Sequence, residues 1–178
     1  MKFILVIIVS LICNQVNAGK KYGEFAPLKG ETMFNYQFDH KKMTIEGQNA
    51  VEFIYNNTKE PSGEAEKVFK RYMKRAELSF MAGVEMSDFK DDGYVFDNEK
   101  PHKFTMVISF YGVDDTGGHI VTINVVDNSS GNVIGSLTRN QLGKRGEFRN
   151  RFIERLTVSG EHIGNKFCDI MDLINEEK

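Results

Sequence analysis

Cysteine and proline are scarce in this chain: its 178 residues include 2 and 3 of them. With 16 glycines and 40% apolar residues, that scarcity excludes a disulfide-dense small module, a collagen-like or low-complexity chain, and a fully disordered one. An excess of one charge is lacking too. Lys plus Arg number 23 and Asp plus Glu 25, a formal net charge of −2. There is therefore no basic surplus of the kind that displaces counterions from nucleic acid.

Chemistry-bearing motifs are equally sparse. There is no CxxC, no GxGxxG, no GxxxxGK[ST] loop and no nucleophile elbow. His40, His102, His119 and His162 are scattered without metal-ligand spacing. Asp88, Asp91 and Asp92 lack the alternating ligands and terminal Glu of a calcium loop and read as a solvated acidic connection. No metal and no cofactor is implied, and nothing nominates an enzyme.

One apolar run stands out. Lys2 precedes Phe3 to Cys13, eleven residues with one serine and no charge, and Asn14-Gln-Val-Asn-Ala18 follows. The run is too short to cross ~30 Å of hydrocarbon as a helix. Val16 and Ala18 stand at −3 and −1 of a cleavage site, so residues 1–18 read as a secretory signal peptide. A lipidated cysteine is disfavoured because Cys13 follows the bulky Ile12. Cleavage leaves about 160 residues with charge −3 and Cys168 as the one cysteine, a secreted or periplasmic domain held by its core and without a transmembrane segment. Cys168 reads as a half-buried small side chain, with a reactive thiol as the alternative.

Residues 19–30 show no periodicity and read as a flexible leader, and 31–178 as a single domain. Phe34, Tyr36 and Phe38 alternate with polar residues as in a half-buried strand. A short helix is indicated near Val51, Ile54 and Tyr55. Ala65, Val68, Phe69, Tyr72, Met73, Ala76 and Phe80 recur at helical spacing, predicting an amphipathic helix over 63–82. Tyr94-Val-Phe96 is a short strand candidate. Strands over 104–111, 119–126 and 133–142, separated by the turn residues of 114–118 and 127–132, predict an antiparallel meander. Phe148, Phe152, Leu156, Ile163, Phe167, Ile170 and Ile174 predict a closing helix, with Thr157-Val-Ser-Gly160 as the place where it would bend or break. Gly160 and Gly164 would allow that helix close to the sheet. The fold class is α+β, an α/β sandwich. Its mostly antiparallel sheet has one long helix after the first strand and the closing helix packed on one face.

Asp115-Thr116-Gly117 matches the aspartic-protease triplet, whose paired carboxylates activate water. A hydrolase centred on Asp115 would need the second carboxylate from a homodimer, and the same residues are ordinary hairpin-turn chemistry. Arg139, Lys144, Arg145, Arg149, Arg151 and Arg155, against Glu147 and Glu154, give a local charge of +4. They are either a solvated basic face or a receiver for a phosphate, a carboxylate or an acidic partner. Asn56-Asn-Thr58 and Asn128-Ser-Ser130 fit the glycosylation acceptor pattern, which counts only in a eukaryotic secretory pathway.

Phe104 to Val113, His119 to Asp127, the Ser130-Gly131 turn, Val133 to Leu137 and Gly160-Glu-His-Ile-Gly164 together resemble small exported bacterial domains of unknown function. These are similar to the envelope domains that include the TolB amino-terminal domain and the lipoprotein activators of penicillin-binding proteins. The resemblance spans residues 31–174 in outline. It implies a compact domain that binds envelope or extracellular proteins, and it carries over no catalytic residue. Two functions remain open: a non-catalytic domain acting through protein or envelope contacts, and a small-ligand carrier with an apolar pocket between sheet and closing helix, lined by Phe148 and Phe152. The intact mass of the exported protein tests the export reading. It should lack residues 1–18, and a retained Met1 would contradict it.

Overall fold

The computed structural model describes residues 22–57, 63–143 and 148–176, with the side chains of the last segment from Arg151 onward. Among the described residues there are seven strands: β1 (Met33–Phe38), β2 (Thr44–Ile45), β3 (Gln48–Asn49), β4 (Val95–Phe96), β5 (Phe104–Tyr111), β6 (His119–Asp127) and β7 (Val133–Gln141). Four α-helices accompany them: α1 (Ala50–Asn56), α2 (Ala65–Glu85), α3 (Asp88–Asp91) and α4 (Phe148–Glu176). The fold is α+β, and the predicted meander is β5, β6 and β7, each hairpin antiparallel.

The sheet order is β4-β1-β5-β6-β7. It is mixed where a mostly antiparallel sheet was expected. β1 lies between β4 and β5 and runs parallel to both, because α2 carries the chain back over the sheet before β4 and β5 begin. Period-2 alternation then sorts the side chains. Phe34, Phe104, Met106, Ile108, Phe110, Val121, Ile123, Val125 and Leu137 are buried on one face. The opposite face carries a polar ladder in which Ser136 donates to Asn124 (2.6 Å) and Thr122 bonds Thr138 (3.2 Å). Only the buried face has helices over it, and α2 and α4 form that layer through Met73, Ala76, Phe80 and Val84 on one and Phe152, Leu156, Ile163 and Phe167 on the other.

The closing helix is continuous from Phe148 to Glu176, with no break at Thr157 to Gly160. Its glycines do permit a close approach, but to α2 and not to the sheet. A methyl added at Gly160 would strike the Phe80 carbonyl and one at Gly83 the Thr157 carbonyl, while one at Gly164 would strike Ser87. The two helices thus cross backbone to backbone.

The expectation of a flexible leader over 19–30 is corrected from Tyr22 onward. Gly23–Leu28 forms a 3-10 helix with Phe25 and Leu28 buried. The Phe25 ring lies against the bare backbone of Gly135 on β7, so burial of two large side chains offsets the entropy of ordering this short segment. The proposed signal peptide, residues 1–18, lies outside the described residues.

Ala is the better helix former by about 1 kcal/mol, so any stability lost on Gly→Ala in these helices reports the collision itself. Gly83→Ala and Gly160→Ala are each expected to lower the unfolding free energy by about 1–3 kcal/mol in urea titrations. Gly23→Ala, whose methyl would meet nothing within 4 Å, is expected to change it by less than about 0.5 kcal/mol.

Candidate functional site

Of the six basic residues singled out from the sequence, the structure describes the side chains of Arg139, Arg151 and Arg155. Lys144 and Arg145 lie outside the described residues, as does the Arg149 side chain. Arg151 is 44% exposed and reaches Glu154 at 3.8 Å on its own helix. Arg139, on edge strand β7, and Arg155, on α4, both lie close enough to His119 to act on its charge. Arg139 donates from Nη1 to His162 Nε2 (3.2 Å) and from Nη2 to Gln141 Oε1 (3.4 Å), both long contacts. Arg155 donates from Nη1 to the Leu142 carbonyl. Among the described residues neither guanidinium has a carboxylate within ion-pair distance, and Arg139 Nε is buried without an acceptor. Guanidinium groups without a carboxylate among the described residues are suited to receive an anionic group.

Beneath them lies a polar contact that sequence reasoning missed. His119, 2% exposed, sits on the inward face where β6 begins, and its Nδ1 is 2.9 Å from the Gly117 carbonyl. A carbonyl only accepts, so Nδ1 carries the proton, and Nε2 accepts from the hydroxyl of Ser159 at 2.9 Å. Burial, with Arg155 and Arg139 nearby, pushes the imidazole below its ordinary pKa, although the Gly117 bond and Asp114 pull the other way. A serine hydroxyl on a histidine nitrogen is also the arrangement of an activated nucleophile. Ser159 is fully buried in the middle of α4, so here the pair ties the closing helix to the sheet. The one sequence signal was a histidine in the inward phase of a strand, 40 residues from its partner.

The turn before His119 explains the Asp115 triplet locally. Burial works to raise the Asp114 carboxyl, but the Thr116 hydroxyl and the backbone N–H groups of Gly118 and Thr116 all donate to it and hold its pKa below the ordinary value. Asp115 is exposed at the tip, and its backbone N–H donates to Glu46. Cys168 is buried, and loss of water pushes its thiol up to about 12, with Asp92 adding to the shift. A thiol so held is not a nucleophile at neutral pH. Among the described residues no group of three His, Cys, Asp or Glu side chains is placed to hold a metal ion, and no helix is long and apolar enough to cross a membrane.

An apolar pocket was expected between sheet and closing helix, and the described residues leave little room there. Phe152 is fully buried there, Phe148 lies outside the described side chains, and the void lined by Ile163, Phe167 and Leu137 is only ≈ 10 Å³. A larger cleft of ≈ 280 Å³ opens at the other edge of the sheet, between the last turn of α2, α3 and strands β1 and β4. Tyr36, Met81, Phe89, Tyr94 and Phe96 line it, with Glu85 and Lys90 among the lining groups. Asn98 fixes the Tyr36 wall by replacing a strand with a side chain. It accepts from Tyr36 N and donates to Tyr36 O, both at 2.9 Å. Asn35, the next residue back, donates to the carbonyls of Asp97 and Lys100 and accepts from His102 N. The chain leaving β4 is thereby pinned across β1.

No family model matches the chain, and no curated protein matches it. Among solved structures, a PelC dodecamer from Paraburkholderia phytofirmans is similar at 13% identity and a TM-score of 0.29, over 84% of this chain and 89% of that one. A likeness at that score carries no information on fold or function.

The depressed pKa of His119 fixes the direction of a pH effect. The unfolded chain takes up a proton near pH 6.5 that the folded chain resists, so stability is complete above that pH and falls as the solution is acidified through it. Urea midpoints measured from pH 8 to 5 should therefore decline below about 6.5. His119→Gln should flatten that decline, and an unchanged slope in the variant would refute the assignment. The carboxylates held low by local donors, Asp97, Asp114 and Asp127, add their loss only near pH 4 and below.

Proposed function

We propose that this chain is a non-catalytic binding domain, exported by its amino-terminal segment, that acts through contacts with an acidic protein or cell-envelope surface. The observation that carries the reading is the Arg139–Arg155 pair. Among the described residues neither guanidinium has a carboxylate within ion-pair distance, so a planar acidic group from a partner can be received there in bidentate fashion. The pattern of residues 1–18 supports an extracytoplasmic location, and the likeness of the strand and turn pattern to envelope domains supports protein binding. The formal charge of −2 speaks against nucleic acid as the partner.

A second reading, a carrier or sensor for a small ligand, is favoured by the cleft at the opposite edge. At ≈ 280 Å³ and largely apolar in its lining, it approaches the size of small-molecule sites.

Partner capture from the native envelope tests the first reading. The wild-type protein is expected to retain a reproducible acidic partner at low salt and to lose it as salt rises. Arg139→Gln combined with Arg155→Gln should reduce recovery at least about tenfold while leaving the circular dichroism unchanged. Equal recovery by the double variant would overturn the proposal.

A further inference from the structure

We propose that the cleft between α2, α3 and β4 binds a small organic cation, an alkylammonium or quaternary ammonium ion. The inference rests on the second reading above, that the cleft takes a small ligand, and it names the ligand's class. Three independent features make the cleft attractive to positive charge.

The first is its wall. Tyr36 and Phe96 meet at 5.1 Å between ring centroids, Phe96 and Phe89 stack at 4.8 Å, and Phe89 meets Tyr94 at 5.5 Å. The four rings contact one another in series, with Tyr36 and Phe96 partly exposed and Phe89 and Tyr94 buried behind them, and the negative faces of such rings attract cations. The second is the helix end. Met81, Val84 and Glu85 all belong to the last turn of α2, and a 21-residue helix presents the negative end of its dipole there. The third is Glu85 itself. That last turn carries no basic residue, so an acid stands where the dipole disfavours one, against the usual placement of charge at helix ends. A bound cation would relieve the repulsion between Glu85 and the dipole.

The surrounding charge agrees. From Glu85 to Glu99 the chain carries six acidic residues and one base, Lys90. Two of the acids are engaged elsewhere: Asp97 bonds His102 (2.9 Å), and Asp92 bonds Cys168. Lys90 lines the cleft as the one base, and it is exposed, so water screens its charge. A trimethylammonium head is well within ≈ 280 Å³.

The test compares choline with its neutral isostere 3,3-dimethylbutan-1-ol by calorimetric titration of the full chain at matched ionic strength. Choline should bind at a single site at least about fivefold more tightly than the alcohol. Glu85→Gln, an exposed change that spares the fold, and Tyr36→Leu, which keeps apolar volume but removes a ring, should each weaken choline about three- to tenfold. Neither variant should alter binding of the alcohol by more than about twofold. Thermal melts show whether Tyr36→Leu remains folded, and Glu85→Gln decides the matter where it does not. Equal or tighter binding of the alcohol overturns the ligand class while leaving the cleft a ligand site. Failure of both compounds to bind at millimolar concentration overturns the small-ligand reading as well.

Discussion

The crossing of α2 and α4, where no side chain separates the two backbones, governs the rest of the molecule. Gly83 faces the Thr157 carbonyl and Gly160 faces the Phe80 carbonyl, with Gly164 against Ser87 one turn further on. Because the helices touch at this depth, both lie low enough for Phe80 and Val84 on one and Leu156, Ile163 and Phe167 on the other to share a single sheet face. Any methyl at the seam would lift one helix and open voids over Met106 and Ile123, whose contacts depend on close packing. The same seam fixes where α2 ends. Ser87, packed on Gly164, donates to the Val84 carbonyl at 2.6 Å and accepts from Phe89 N at 3.2 Å, so the helix stops and α3 turns toward β4.

From that constraint the two candidate surfaces follow. At the β4 edge, the end of α2, α3, β1 and β4 enclose an aromatic cleft whose lining includes the core residues Val84, Phe89 and Tyr94. At the β7 edge, Arg155 on α4 and Arg139 on β7 both lie near the His119–Ser159 contact, a neutral buried pair close to two charged groups. Burial and the flanking cations disfavour a third positive charge on His119, which keeps the tie intact at neutral pH. The surfaces differ in sign and chemistry, aromatic and acidic at one edge and guanidinium-rich at the other.

Much of the architecture was legible because period and turn chemistry are local signals. Phe34, Tyr36 and Phe38 marked β1, the glycine- and aspartate-rich turns marked the meander, and the helical stripes marked α2 and α4, although α2 runs on to Glu85 and α4 has no break at Thr157 to Gly160. What could not be read depends on long-range placement. Nothing in the sequence of β1 shows that it lies parallel between β4 and β5. Phe25 and Leu28, two apolar residues among glycines and lysines, gave no period, yet both are buried. Gly160 and Gly164 did announce a close approach, but a glycine does not show what approaches it, and the neighbour is a helix. Among the described residues of the basic cluster, Arg139 and Arg155 both come near His119, which depends on where β7 and α4 present them. The cleft draws on β1, α2, α3 and β4, four separate stretches of chain whose convergence no local pattern encodes.

The dependence of the fold on the α2–α4 seam is most directly tested by native-state hydrogen exchange across a series of subdenaturing urea concentrations. The account predicts that amides of α2 around Gly83 and of α4 around Gly160 exchange only through global unfolding, with the same free energy and the same urea dependence. Amides of α3 and β4 should open at lower cost. Exchange of one helix by a smaller opening while the other keeps its protection would contradict the claim that the two are locked together by backbone contact.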